Sequence, residues 1–206
     1  MSEKPLEILQ QLHDCLMAEG VSFTFNKGEK IQIEQEEKEN IVYFLESGCV
    51  FIYNEEKEWL LDVVDSAMLL GASGIVFKEY EGSCAVAVNV CQGFWLTASR
   101  AKALLNQSNL WYELSIWLSY LAFYLKHREC DLLGSNNYCI VRAMLIRMQR
   151  IRPEVRQKLG VLEFIQQRSK ISRTVIAEIL CELRKGNYIE MDKGKLIQIN
   201  RLPANY

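Results

Sequence analysis

The stretch Arg168-Ser169-Lys170-Ile171-Ser172-Arg173-Thr174-Val175-Ile176-Ala177-Glu178-Ile179-Leu180 decides how this chain is read. It joins two short segments of helical periodicity, 161–167 and 172–185, separated only by residues 168–171. That is helix–turn–helix spacing. Ser172 is a natural N-cap for the second helix. Ile176, Ile179, Leu180 and Leu183 form one apolar stripe, which leaves Arg173, Thr174, Ala177 and Glu178 on the other face. In such a pair, the early positions of the second helix reach base edges in the major groove.

Working outward, Gly186-Asn187 ends that helix. Residues 188–191, the turn Asp192-Lys193-Gly194 and residues 195–199 then make a hairpin with Lys193 and Lys195 at its tip. A helix–turn–helix followed by a basic hairpin is a winged helix. On the N-terminal side, 138–150 is amphipathic, with Ile140, Val141, Met144, Leu145 and Met148 inward and Arg142, Arg147, Arg150 and Arg152 mostly outward. Pro153 closes it. Charge follows the same division. Residues 142–206 carry a net +8 and residues 1–141 a net −10, for −2 overall. A basic end on an acidic body points to nucleic acid at one end and control at the other.

A long helix over 109–133 precedes the basic part. Trp111, Leu114, Leu118, Leu121 and Leu125 occupy alternating spacings of three and four, a heptad seam for a two-stranded coiled coil, with Arg128 at the skipped seam position. Ile116, Trp117 and Tyr124 widen the apolar face, so the same helix should also cover its own domain. Gly134-Ser135-Asn136-Asn137 breaks it. Upstream, 5–18 has helical spacing, and 99–105 reads as a short helix with Ser99 at its cap. Between them run short alternating segments, 21–25, 31–33, 41–45, 49–53, 59–64, 75–77, 84–90 and 94–97, punctuated by glycines. Strands at this spacing predict a β-sandwich or roll.

The length, 206 residues, holds one large or two small domains. Half the residues are apolar and 24% are charged, a globular balance. The longest apolar-rich stretch, 104–125, is interrupted by Asn106, Gln107, Asn109 and Glu113 and is too polar to span a membrane. The opening Met1-Ser2-Glu3-Lys4-Pro5 has no leader architecture, so the expected location is the cytoplasm. Seven cysteines without a C-x-x-C pair argue against zinc and against a disulfide framework, and most are expected to be small buried residues. His13 and His127 fall on helices and suggest no metal. No nucleophile–base pair, paired-carboxylate motif or phosphate loop stands out, so the expectation is a non-enzyme without a cofactor.

The order of β-roll, long helix and winged helix resembles the Crp/Fnr transcription regulators over nearly the whole chain. Ser172 to Leu180 is similar to their recognition-helix motif S-R-E-T-V-x-R-I-L. Asn26-Lys27-Gly28-Glu29-Lys30-Ile31 and Leu45-Glu46-Ser47-Gly48 resemble their early roll turns. The tail Arg184-Lys185-Gly186-Asn187-Tyr188-Ile189-Glu190-Met191, with Lys193-Gly194-Lys195-Leu196-Ile197 and Ile199-Asn200-Arg201-Leu202-Pro203, resembles the enterobacterial branch called inhibitor of hydrogen peroxide resistance, described as regulators that lower resistance to oxidative stress.

The resemblance implies an α+β fold in three parts: a cyclic-nucleotide-binding-like β-roll with an N-terminal helix over 1–108, a dimerisation helix over 109–134, and a winged DNA-binding domain over 135–206. It implies a homodimer on double-stranded DNA, with RNA polymerase as a further partner and no membrane. Ser172, Arg173, Thr174, Glu178, Lys170, Lys193 and Lys195 are the expected DNA-binding residues. Two departures matter. The phosphate cassette of cyclic-AMP-binding members, G-E-x-G then R-S-A, here reads Gly71-Ala72-Ser73-Gly74, then Gly82-Ser83-Cys84. Ala72 cannot accept from a ribose and Gly82 brings no cation, so control by cyclic AMP is not expected. In the recognition helix the family's Glu is Thr174 and its second Arg is Glu178, which should change the operator. Glu178 is alternatively a structural residue or a repulsive filter. The rival function is a dimeric protein-interaction module whose helix–turn–helix no longer reads DNA.

Overall fold

The computed structural model describes residues 3–32, 39–54, 59–77, 83–133 and 136–204. The chain forms two compact units, Met1–Tyr124 and Leu125–Tyr206, and the division falls inside one long helix.

The first unit opens with α1 (Leu6–Met17), which buries Leu9, Leu12 and Leu16 from one face. Eight strands follow: β1 (Val21–Phe25), β2 (Lys30–Gln32), β3 (Ile41–Ser47), β4 (Cys49–Asn54), β5 (Trp59–Asp65), β6 (Met68–Leu70), β7 (Ser83–Ala87) and β8 (Cys91–Thr97). They pair antiparallel in two four-stranded sheets, β1-β8-β3-β6 and β2-β7-β4-β5. Strand alternation sorts the two sides of β3. Tyr43 and Leu45 join Ile31, Val50, Val64, Leu70, Ala85 and Ala87 in a core shared by the two sheets. Val42 and Phe44 face the other way. With Phe94 and Leu96 they lie in the cluster formed by α1, α2 (Ala98–Ser108) and the first half of α3 (Trp111–Leu132). A side chain at Gly93 would collide with the Phe44 carbonyl oxygen, so only glycine lets β8 approach β3 there.

Three details differ from the sequence expectation. Residues 75–77 do not form a strand. Gly71, at φ 72°, starts a 3-10 turn over Ala72–Ile75. Its bonds Gly74 N to Gly71 O (3.0 Å) and Phe77 N to Ser73 O (2.9 Å) use the groups a strand would pair, and Val76 and Phe77 are left exposed. The α2 helix begins one residue before Ser99, because the Thr97 hydroxyl accepts from Arg100 N at 3.4 Å and takes the cap. Cysteines are less buried than expected: Cys49, Cys84 and Cys91 are buried, Cys15 and Cys139 half-buried, and Cys130 and Cys181 exposed on helices. The expected strand end at Ile33 and the helix break at Gly134-Ser135 lie outside the described residues.

The second unit contains the end of α3, then α4 (Asn137–Arg150), α5 (Pro153–Arg156), α6 (Val161–Arg168), α7 (Arg173–Lys185) and the hairpin β9 (Ile189–Asp192) and β10 (Lys195–Ile199). Asn136 caps α4, accepting from Cys139 N at 2.8 Å. Pro153 ends α4 and also opens α5, at the position where its missing N–H costs nothing. α4 packs on α6, α7 and β10 through Val141, Met144, Leu145 and Met148, all fully buried. Among the described residues no helix is long and apolar enough to cross a membrane.

Candidate nucleic-acid interface

The turn between α6 and α7 is held by short side-chain bonds. Ser169 Oγ donates to Ile165 O at 2.8 Å and accepts from Ile171 N at 3.5 Å. Ser172 Oγ accepts from Val175 N at 3.4 Å, satisfying one of the free donors at the start of α7. Ile171 and Ile176, with Leu180 and Leu183, fix the inner face of α7 in the core. Arg173, Thr174, Ala177 and Glu178 are exposed, and so is Cys181 one turn further. Lys170 is exposed on the turn itself. Cys181 escaped the sequence reading, although its spacing of seven from Thr174 was the available signal.

The wing is a two-residue hairpin. Lys195 pairs with Asp192, and Lys193 and Gly194 between them have φ of 45° and 78°. Positive φ at both central positions matches the right-handed twist of the strands, and glycine supplies the second without strain. The tip is fastened to the start of α6: Val161 N donates to Gly194 O at 2.9 Å. The two wing lysines have different environments. Lys193 is exposed, whereas half-buried Lys195 donates through Nζ to Lys158 O at 3.0 Å.

Several other cations of this unit are structural. Arg147 was expected to point outward. Its side chain is only 10% exposed and its Nε lies 2.7 Å from Asp131 Oδ2 on α3. Arg142 donates to Pro203 O at 3.0 Å, and Arg156 donates to Gln149 O and Ile197 O. Arg168 is buried with its guanidinium 5.3 Å over the Phe164 ring. The +8 charge is therefore partly spent inside the domain, and Lys170, Arg173 and Lys193 are among the cations presented to solvent.

In the first unit the expected seam residues take different positions. Leu114 is buried and packs with Trp117 into the cluster beneath α1 and α2. Trp111, Leu118 and Leu121 are partly buried against the same cluster, and Trp111 Nε1 donates to Asn106 Oδ1. Tyr124 donates to the buried Asp62 of β5 at 3.1 Å. Leu125, the first residue of the second unit, is 46% exposed. The cassette residues divide too. Gly71 and Gly74 shape the 3-10 turn and Ser73 is exposed on it, while Ala72 turns its methyl into the apolar cluster with Leu69 and Ile75. Ser83 begins β7, half-buried, and Gly82 lies outside the described residues.

Comparison with known proteins agrees with this geometry. Residues 137–204 match the family model described as winged helix-turn-helix DNA binding. Over 204 residues, 98% of each chain, the sequence is 37% identical to the inhibitor of hydrogen peroxide resistance of Salmonella typhimurium. The chain belongs to the inhibitor of hydrogen peroxide resistance family. The fold of this family member is that of the Crp/Fnr regulators. It is similar to the c-di-GMP responsive global regulator CLP of Xanthomonas campestris, with a TM-score of 0.74 over 93% of this chain and 99% of that one at 12% identity. It is also similar to a transcriptional regulator of the CRP/FNR family from Thermus thermophilus, with a TM-score of 0.62 over 86% and 94% at 16% identity. The inhibitor of hydrogen peroxide resistance family thus joins a β-roll and a winged helix in one chain, as the resemblance implied.

Proposed function

We propose that this protein is a DNA-binding transcription regulator of the Crp/Fnr type that affects resistance to hydrogen peroxide. The observation that carries this reading is the solvent face of α7. Its inner face is fixed in the core, its N-terminus is capped by Ser172, and the face left over presents Arg173, Thr174 and Glu178, while Lys170 on the preceding turn and Lys193 on the wing are exposed cations of the same unit. Arg173 and Thr174, with Glu178, supply sequence choice, and the lysines supply affinity through phosphate. The helix over 109–134 joins two copies, the β-roll over 1–108 is the control part, and the domain over 135–206 holds DNA. Leu118, Leu121 and Leu125 carry the seam, because they keep accessible surface that Leu114 has lost to its own core. A twofold dimer reads a roughly palindromic site.

The same reading makes the protein a cytoplasmic non-enzyme, with RNA polymerase as a further partner, and frees it from cyclic AMP. Ala72 supports the last point, since its methyl is buried in apolar surroundings and offers nothing to a ribose hydroxyl. A gel shift on genomic fragments over a range of salt tests the function. Specific bands that weaken steeply with salt are expected. Retention of a partner protein with no DNA bound at any salt would instead favour a helix–turn–helix that has turned to protein interaction.

A further inference from the structure

Resting on that DNA-binding reading, we propose that Thr174, Ala177, Glu178 and Cys181 form a second base-reading stripe beside Arg173, and that this stripe selects a cytosine amino group flanked by thymine methyls. The four residues stand at i, i+3, i+4 and i+7 of α7 and all are exposed, so they share one face. Three of them are short: Ala177 ends in a methyl, Cys181 in a thiol, and Thr174 in a methyl beside a hydroxyl. None of the three offers the paired donors that read a guanine bidentately. Short apolar tips suit close approach of the helix and contact with the thymine C5-methyl, the one apolar group the major groove presents.

The fourth residue sets the polar requirement. Glu182, four residues on, is neutralised by Lys185 at 2.7 Å. Glu178 has no hydrogen bond or ion pair among the described residues, so its carboxylate enters the groove as a free acceptor. Among phosphates such a charge is unfavourable unless a base donates to it. Only cytosine N4 and adenine N6 are donors in the major groove, and adenine sets the acceptor N7 beside its amine, against the second carboxylate oxygen. Cytosine is therefore the preferred partner of Glu178, and Cys181 becomes a specificity residue next to it.

The test selects duplexes bound by the full-length protein from a random library and measures affinity for the selected duplex and its variants. The expected half-site contains one essential cytosine. Replacing it with thymine costs the wild type about tenfold, and replacing each contacted thymine with uracil, which removes only the methyl, costs about three- to fourfold. Glu178→Gln, at an exposed position, should move the preference from cytosine to adenine, which pairs with an amide through N6 and N7. Sequence-specific binding that ignores uracil, or a half-site with no cytosine requirement, would overturn the stripe while leaving the DNA-binding reading intact. So would Glu178→Ala binding every duplex more tightly with unchanged preference, the mark of simple repulsion. Absence of binding to any duplex at low salt would overturn both.

Discussion

His13 of α1 and Glu46 of β3 meet across the first unit, Nε2 to Oε1 at 2.7 Å, while Asp14 holds the other ring nitrogen at 2.9 Å. Burial alone would lower the pKa of this imidazole. The two hydrogen bonds and the two carboxylate charges outweigh it and hold the value above the ordinary 6.5. A group whose folded pKa is raised stabilises the fold fully below its unfolded pKa and loses that contribution as pH rises through the folded value. Asp14 is lowered, first by its bond to His13, so its share is lost only in acid. His13→Gln should therefore cost most at the acid end of the range, near pH 5, and the gap to wild type should shrink as pH rises through neutrality. Urea unfolding of both proteins from pH 5 to 9 measures this. A gap independent of pH would show that the ring acts by packing against Phe44 and Phe94 alone.

Removing the cap of α7 should lower stability in a way that needs no DNA to see. Ser172→Ala leaves the Val175 amide without its acceptor. The expected cost is about 1 kcal/mol. A lower urea midpoint with an unchanged slope is the expected signature.

The exposed and the engaged cations should separate in DNA binding. Arg173→Ala is expected to cost roughly 1–3 kcal/mol on a specific site and little on random DNA. Lys193→Ala should weaken all sequences alike and flatten the salt slope by about one unit. Lys195→Ala should leave the salt slope nearly unchanged and instead loosen the wing, because its ammonium sits on the Lys158 carbonyl. Equal salt slopes for the two lysine variants would contradict this division.

Leu125 gives a clean test of dimerisation, since a side chain 46% exposed in the single chain can be changed without emptying a core. Leu125→Glu sets two like charges against each other across a twofold seam, where both repulsion and desolvation oppose association. Sedimentation should show a folded monomer, and the same preparation should keep only weak, salt-sensitive DNA binding. A dimer with full specific affinity would place the seam elsewhere.

Cyclic AMP should produce no heat in a calorimetric titration, since Ala72 lies in the apolar cluster with Leu69 and Ile75. Binding at micromolar concentration would overturn the exclusion.

The winged helix was legible in the sequence because its signals are local. A cap, an apolar stripe and a Lys-Gly turn are each written within a few residues. The β-roll was legible as strand spacing, but not at 72–77, where backbone bonds between neighbours win over pairing with a distant strand. The site was harder to read, for a tertiary reason. Arg147 and Lys195 look like free cations in sequence, and only folding brings Asp131 and the Lys158 carbonyl to them. Leu114 fits a heptad as well as Leu118 does, and only the position of α1 and α2 decides which one is consumed by the core. The Tyr124–Asp62 bond spans 62 residues and left no periodic trace at all.

The Pro203 carbonyl receives two bonds from α4, one from Tyr138 Oη at 2.7 Å and one from Arg142 Nε at 3.0 Å. The segment leaving the wing is thus brought back beside the helix with which the winged unit begins. A polypeptide whose ends lie side by side can be spliced into a surface loop of another protein without stretching either partner. Residues 136–204 should therefore be transferable to a carrier through two short linkers, provided that the N-terminal linker supplies a carboxylate in place of Asp131 beside Arg147, with the carrier choosing where the reader is held.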